Sequence, residues 1–214
     1  MFRLLLLLGL ACGPALARHH AGNDNGEAPG DFDYYLLALS WSPAYCLTHP
    51  EDRPQCGTMG LGFVLHGLWP QNDSGHYPEH CGADPQLSQE ALGVGVTLYP
   101  SARLMRHEWA SHGTCSGLGA VEYFRAADRA LAAVQIPAVL QAPHGSQTMS
   151  RAAIAAAFRA ANPALPVAAL LLDCSRGQLS EVRICLTRSL VIRTCGRGVH
   201  SSCPDAPILI PSSR

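Results

Sequence analysis

Eight of the nine cysteines fall between positions 46 and 203, and the ninth, Cys12, sits in an apolar leader. Arg3 precedes the run Leu4 to Ala11, and Ala15-Leu16-Ala17 fits the small-x-small cleavage rule, so residues 1–17 are predicted to be a secretory signal peptide. The run is shorter than the roughly 20 apolar residues that span a bilayer, and no later stretch is long enough. A lipoprotein acylated on Cys12 is the rival reading, but Gly9 stands where such a site expects leucine. Cleavage leaves Cys46, Cys56, Cys81, Cys115, Cys174, Cys185, Cys195 and Cys203. An even number in an oxidising compartment reads as four disulfides, with 105 connectivities open. No pair has Cys-x-x-Cys spacing, which argues against a zinc site. The expected product is exported, either secreted or periplasmic, with no membrane association once the leader is removed.

The composition narrows the class further. With 48% apolar residues, 14% charged residues and a net charge of −1, the chain is not mainly disordered, nor a strongly basic nucleic-acid clamp at neutral pH. Its 214 residues suit one domain with a sizeable core. Lysine is absent. Residues 18–214 hold 14 arginines and 16 acids, giving −2 with neutral histidines and +8 with all ten protonated. Affinity for a polyphosphate should therefore rise in acid, below about pH 6.5.

Residues 18–30 carry turn formers and almost no apolar side chains, and a mobile tail is expected there, followed by one domain over 31–214. Tyr34 to Trp41 is apolar on both faces, as in a central strand. Phe63-Val64-Leu65 reads as a short strand ended by Gly67 and Pro70, and 71–86 as loop. Helices are predicted from Ala102 to His112, stopped by Gly113, from Val121 to Gln135, and from Arg151 to Ala161 with Ser150 as N-cap. Val167 to Leu172, Glu181 to Leu186 and Leu190 to Thr194 read as strands. The mixture predicts an α+β fold, a mainly antiparallel sheet packed with helices and stapled by disulfides.

Two segments carry chemistry. In Phe63-Val64-Leu65-His66-Gly67-Leu68-Trp69-Pro70, a histidine at a strand end stands beside an aromatic plate suited to a planar, heteroaromatic ligand. In Arg106-His107-Glu108-Trp109-Ala110-Ser111-His112-Gly113-Thr114-Cys115, helical spacing puts Glu108 and His112 about 40° and one turn apart. A carboxylate there should raise the pKa of His112. His107 falls about 140° from His112, and the spacing is one residue too long for a zincin. Two imidazoles suffice to cleave RNA by internal transesterification, one taking the 2′-OH proton and one protonating the departing 5′-oxygen. The substrate supplies its own nucleophile, so no metal or other cofactor is required, and DNA should not be cut.

These two segments, taken in order with the cysteines, resemble the active-site motifs of the ribonuclease T2 family. Trp41-Ser42-Pro43-Ala44-Tyr45-Cys46 and Ile208-Leu209-Ile210-Pro211 resemble its first and last strands. The resemblance implies an α+β ribonuclease T2-like fold and metal-independent endonucleolytic cleavage of single-stranded RNA through a 2′,3′-cyclic phosphate. It implies His66 as general acid, His112 as general base and Glu108 as an organiser of the transition state. His107 would bind phosphate, and Trp69 and Tyr77 would contact bases. It also implies a Cys81–Cys115 disulfide, which would close 34 residues and contribute roughly 3–4 kcal/mol in the loop-entropy model. Cys46–Cys56, Cys174–Cys203 and Cys185–Cys195 complete the working assignment, although spacing does not fix them.

The chain departs from the family at Ser111, a substrate-facing position where a cation usually precedes the second catalytic histidine. Losing one transition-state donor costs about 10²–10³ in rate. Arg103 and Arg106 do not replace it by helical position, so a slower enzyme is expected. Gln71 stands where a base-reading aspartate is expected, which leaves base preference open. His76, His80, His144 and His200 are expected in solvated loops, and a monomer is expected. The alternative is a catalytically weak RNA-binding or effector module on the same scaffold.

Overall fold

A computed structural model describes residues 28–57, 60–82, 85–141 and 145–212. The predicted leader and most of the predicted tail lie outside the described residues. In chain order the elements are β1 (Tyr34–Trp41), α1 (Ser42–Cys46), α2 (Arg53–Cys56), β2 (Phe63–Gln71), α3 (Gln89–Gly95), α4 (Ala102–Ser111), α5 (Ala120–Ala132), β3 (Gln147–Met149), α6 (Arg151–Ala161), β4 (Leu170–Ser175), β5 (Gln178–Thr187) and β6 (Ile208–Ile210). The fold is α+β. The sheet runs β2-β1-β5-β6-β3 with β4 paired to β5, and every pairing is antiparallel except β5–β6. Among the described residues, no helix is long and apolar enough to cross a membrane.

β1 is the middle of the site-bearing half of the sheet, with β2 on one side and β5 on the other. Its run Tyr34-Tyr35-Leu36-Leu37-Ala38-Leu39 is buried on both faces. That burial is why the sequence lacks the alternation of a half-exposed strand. Leu37, Leu39 and Trp41 join Leu65, Leu68, Met105, Trp109, Tyr123 and Phe124 in the core that seats α4 and α5 against the sheet. The Trp41 indole N–H donates to Pro211 O, 3.1 Å, tying the chain's end to β1. Ser101 and Ser150 cap α4 and α6 by accepting from Leu104 N and Ala153 N.

Four disulfides join Cys46–Cys56, Cys81–Cys115, Cys174–Cys203 and Cys185–Cys195, the same pairs as the working assignment. Cys81–Cys115 fastens the loop after β2 to the turn after α4.

Several boundaries differ from the sequence expectation. β2 does not stop at Gly67 but continues through Pro70, which pairs with Tyr35. It is an edge strand, where proline's missing N–H can face away from the ladder. Gln71 is consequently the buried last residue of β2, not a loop residue. Val167–Ala169 is a 3₁₀ turn, and β4 begins only at Leu170. Leu190 to Thr194 forms no strand. Leu190 takes φ 65°, and only an isolated Leu186–Ile192 bridge forms inside the Cys185–Cys195 loop. α5 ends at Ala132, three residues before Gln135.

Candidate active site

His66 owes its position to an irregularity in β2. Ala38 pairs with Gly67 and Leu39 with Leu65, so His66 is the extra residue of a β-bulge with no partner on β1. A bulge re-aims a side chain, and here it turns the imidazole toward β5. His66 Nδ1 lies 2.5 Å from Glu181 Oε2, while Nε2 faces Glu108 Oε1 at 3.7 Å. Burial opposes the charged imidazole, but the Glu181 hydrogen bond and the charges of Glu181 and Glu108 outweigh it and raise its pKa. Glu181 moves the other way. Burial favours its neutral form, yet His66 and Arg183 hold its carboxyl below the ordinary value.

Glu108 is nearly inaccessible, at 1% exposure, and is oriented by β2. The Trp69 indole N–H donates to its Oε2 at 2.7 Å. Its Oε1 has no hydrogen-bond partner among the described residues and points at His66 Nε2. Burial pushes its pKa up to about 7, against the favourable charge of His66 and the Trp69 bond. Gly67 makes this approach possible, because a Cβ there would overlap both Glu108 Oε2 and the Trp69 indole nitrogen.

The pairing of Glu108 with His112 expected from helical spacing does not form. α4 ends at Ser111, and His112 leaves helical geometry at φ −120°, ψ −42°. Its side chain therefore parts from Glu108, and the nearest carboxylate oxygen is Glu79 Oε1, 4.0 Å from Nε2. The predicted rise in pKa is reversed. Burial, followed by the charges of His107, His66 and His80, pushes His112 down to about 3. The His107 and His112 ring centroids lie 6.5 Å apart. Ser111 is buried, with Oγ 3.4 Å from His107 Nδ1.

Trp69 stands between the two halves of the site. Its ring centroid lies 5.0 Å from that of His66 and 5.2 Å from that of His112. On the His112 side a cleft of about 530 Å³, within the range of small-ligand sites, is lined by Trp69, Gln71, Tyr77, His112, Arg183 and His200. On the other side, His66, Ser40, Tyr45, Arg103 and His107 line a second hollow. The sequence-predicted residues His66, Trp69, Glu108 and His112 thus converge. His107 and Tyr77 stand on opposite flanks. His80 and His200 are exposed as expected, but His80 acts electrostatically on His112 and His200 lines the cleft. His144 lies outside the described residues.

Sequence reading missed Glu181 and Arg183. Their polar alternation within an apolar strand was visible, but the pairing that sets β5 beside β1 was not. Among the described residues, no group of three or more His, Cys, Asp or Glu is placed to hold a metal ion.

The sequence matches a family model described as the Ribonuclease T2 family over residues 32–195. It is 48% identical over 130 residues to a ribonuclease of Aeromonas hydrophila, covering 59% of this chain and 56% of that protein. It is 31% identical over 191 residues to a probable ribonuclease of Haemophilus influenzae, covering 82% of this chain and 64% of that one. The chain therefore spans less than two thirds of the length of either relative. Among solved structures, the RNase-related protein from Calystegia sepium shares the fold, with a TM-score of 0.69 at 23% identity, covering 86% of this chain and 98% of that one.

Proposed function

The chain belongs to the ribonuclease T2 family, and from that premise we propose that it is a metal-independent endoribonuclease acting on single-stranded RNA. The observation that carries the reading is the opposed setting of two imidazoles around one indole, with His66 held toward its charged form and His112 toward its neutral form. Pairs of titratable groups driven apart in this way mark acid and base.

Neutral His112 takes the proton from the ribose 2′-OH. The freed oxygen attacks phosphorus, the bond from phosphorus to the 5′-oxygen breaks, and His66 Nε2–H protonates that oxygen. A 2′,3′-cyclic phosphate remains on one fragment and a 5′-OH on the other. Glu181 acts as a positioning residue, fixing the His66 ring through Nδ1 and favouring its charge. Glu108 is protonated below about pH 7, so its unpartnered Oε1 can donate to a non-bridging phosphate oxygen that a carboxylate would repel. His107 binds phosphate, and Trp69 and Tyr77 offer stacking faces to bases. The relatives named as ribonucleases support the activity. Export rests on the predicted leader over residues 1–17, and a monomer is proposed.

A defined dinucleoside monophosphate incubated in chelator should yield the 2′,3′-cyclic phosphate, and its 2′-deoxy counterpart should stay intact. Binding of RNA without cleavage would instead favour the weak-effector reading, and cleavage of the deoxy compound would contradict the mechanism.

A further inference from the structure

Arg183 lies where the two histidine sides of the site meet. It lines the Trp69–Tyr77 cleft that contains His112, and also the hollow formed by Ser40, His66, Glu181 and Gln178. The register explains the position. Arg183 on β5 pairs with Ala38 on β1, which in turn pairs with Gly67 on β2. With only a methyl group and a hydrogen between them, the guanidinium can reach across the sheet face to Trp69, its carbon 5.4 Å from the indole centroid. Two carboxylates hold the group at two of its nitrogens. Nε donates to Glu181 Oε1 at 2.5 Å, and one terminal nitrogen sits 2.9 Å from Asp173 Oδ2. Asp173 is itself held by Ser202 N and Oγ. The other terminal nitrogen, with two N–H groups, has no partner among the described residues.

We propose that Arg183 binds the phosphodiester where an RNA strand crosses from one cleft to the other, supplying the donor that Ser111 cannot. The inference rests on the ribonuclease reading above. A guanidinium held at Nε and one terminal nitrogen keeps the other terminal nitrogen in place, so little order is lost when it meets a phosphate. With His66 protonated, the charges of Glu181, Asp173, Arg183 and His66 cancel. Arg183 therefore acts as a directed donor, not through a broad positive field. The rate deficit expected from Ser111 does not arise on this account.

The test compares Arg183→Gln and Arg183→Lys with the native protein on a dinucleoside monophosphate, with urea midpoints as the folding control. Arg183→Gln should lower kcat/KM by about 10²–10³, mostly in kcat. Arg183→Lys, which keeps the charge but loses the fork, should lose about tenfold. Arg183→Lys, which keeps the charge that lowers the His66 pKa, should leave the alkaline limb of the pH profile in place, whereas Arg183→Gln should move it to higher pH. A loss below about threefold in Arg183→Gln, or equal losses in both variants, would overturn the proposal. The second outcome would leave Arg183 only the task of steadying Glu181. If the native protein cuts nothing, the ribonuclease reading fails separately. Calorimetric binding of a 3′-mononucleotide in mildly acidic buffer then reads Arg183 alone. Binding weakened by about tenfold or more in Arg183→Gln supports the contact, and unchanged binding refutes it.

Discussion

His112→Ala and His66→Ala are each expected to lower kcat/KM by about 10²–10⁴, the range for one general acid or base. The double variant should fall little further, because the two groups work as a unit. Activity in either variant within about tenfold of the native protein would exclude the assigned role. The pH dependence has a definite sign. Activity falls in strong acid as His112, with its pKa pushed down to about 3, takes up a proton. It falls again on the alkaline side as His66, with its raised pKa, gives one up, and as Glu108 ionises around 7. The plateau between them lies on the acid side of neutrality, where the histidine-rich surface also favours RNA. His112→Ala should abolish the acid limb while leaving the alkaline limb in place. Stability must be followed in parallel. A histidine with a depressed folded pKa destabilises the fold as pH drops below about 6.5, because the unfolded chain binds the proton first.

Gly67→Ala should cost about 10²-fold or more in kcat/KM although position 67 touches no substrate, since displacing reacting groups by about 1 Å is enough. The added methyl would occupy space taken by Glu108 Oε2 and the Trp69 indole nitrogen. Their 2.7 Å hydrogen bond would break, freeing the indole that separates the two histidines and the carboxyl that faces His66. Overpacking of this kind costs about 1–3 kcal/mol, so the variant should remain folded. Steady-state kinetics and urea unfolding on the same preparation separate the effects. Native kcat/KM in a folded Gly67→Ala protein would show that the Trp69–Glu108 bond is dispensable.

The sequence was legible where local chemistry decides structure. The unbroken apolar run of β1 and the serine-capped starts of α4 and α6 match their predicted limits, because caps and periodicity act within a few residues. The continuation of β2 through Gly67 and Pro70 was not legible, since proline is tolerated only if the strand lies at an edge, which is a property of the whole sheet. The short helices α1 and α2, each with proline in its first turn, carry too few residues to show a period.

In the candidate site, the motifs singled out His66, Glu108 and His112, which the fold brings together, but helical spacing mispaired them. The i, i+4 relation assumes an uninterrupted helix, and α4 ends one residue too soon. Glu108 consequently faces His66 on β2, while His112 is left buried with Glu79, 4.0 Å away, as its nearest carboxylate. Glu181 and Arg183 come from a strand more than 60 residues beyond either motif. Only sheet order makes them neighbours of His66.

A titration of the histidine ring protons by NMR, assigned through His66→Ala and His112→Ala, measures the charge state of each imidazole without substrate. His66 should titrate above the ordinary value of about 6.5, and His112 should remain uncharged until the pH approaches about 3. Equal midpoints near the ordinary value, or His112 titrating above His66, would contradict the account at its centre.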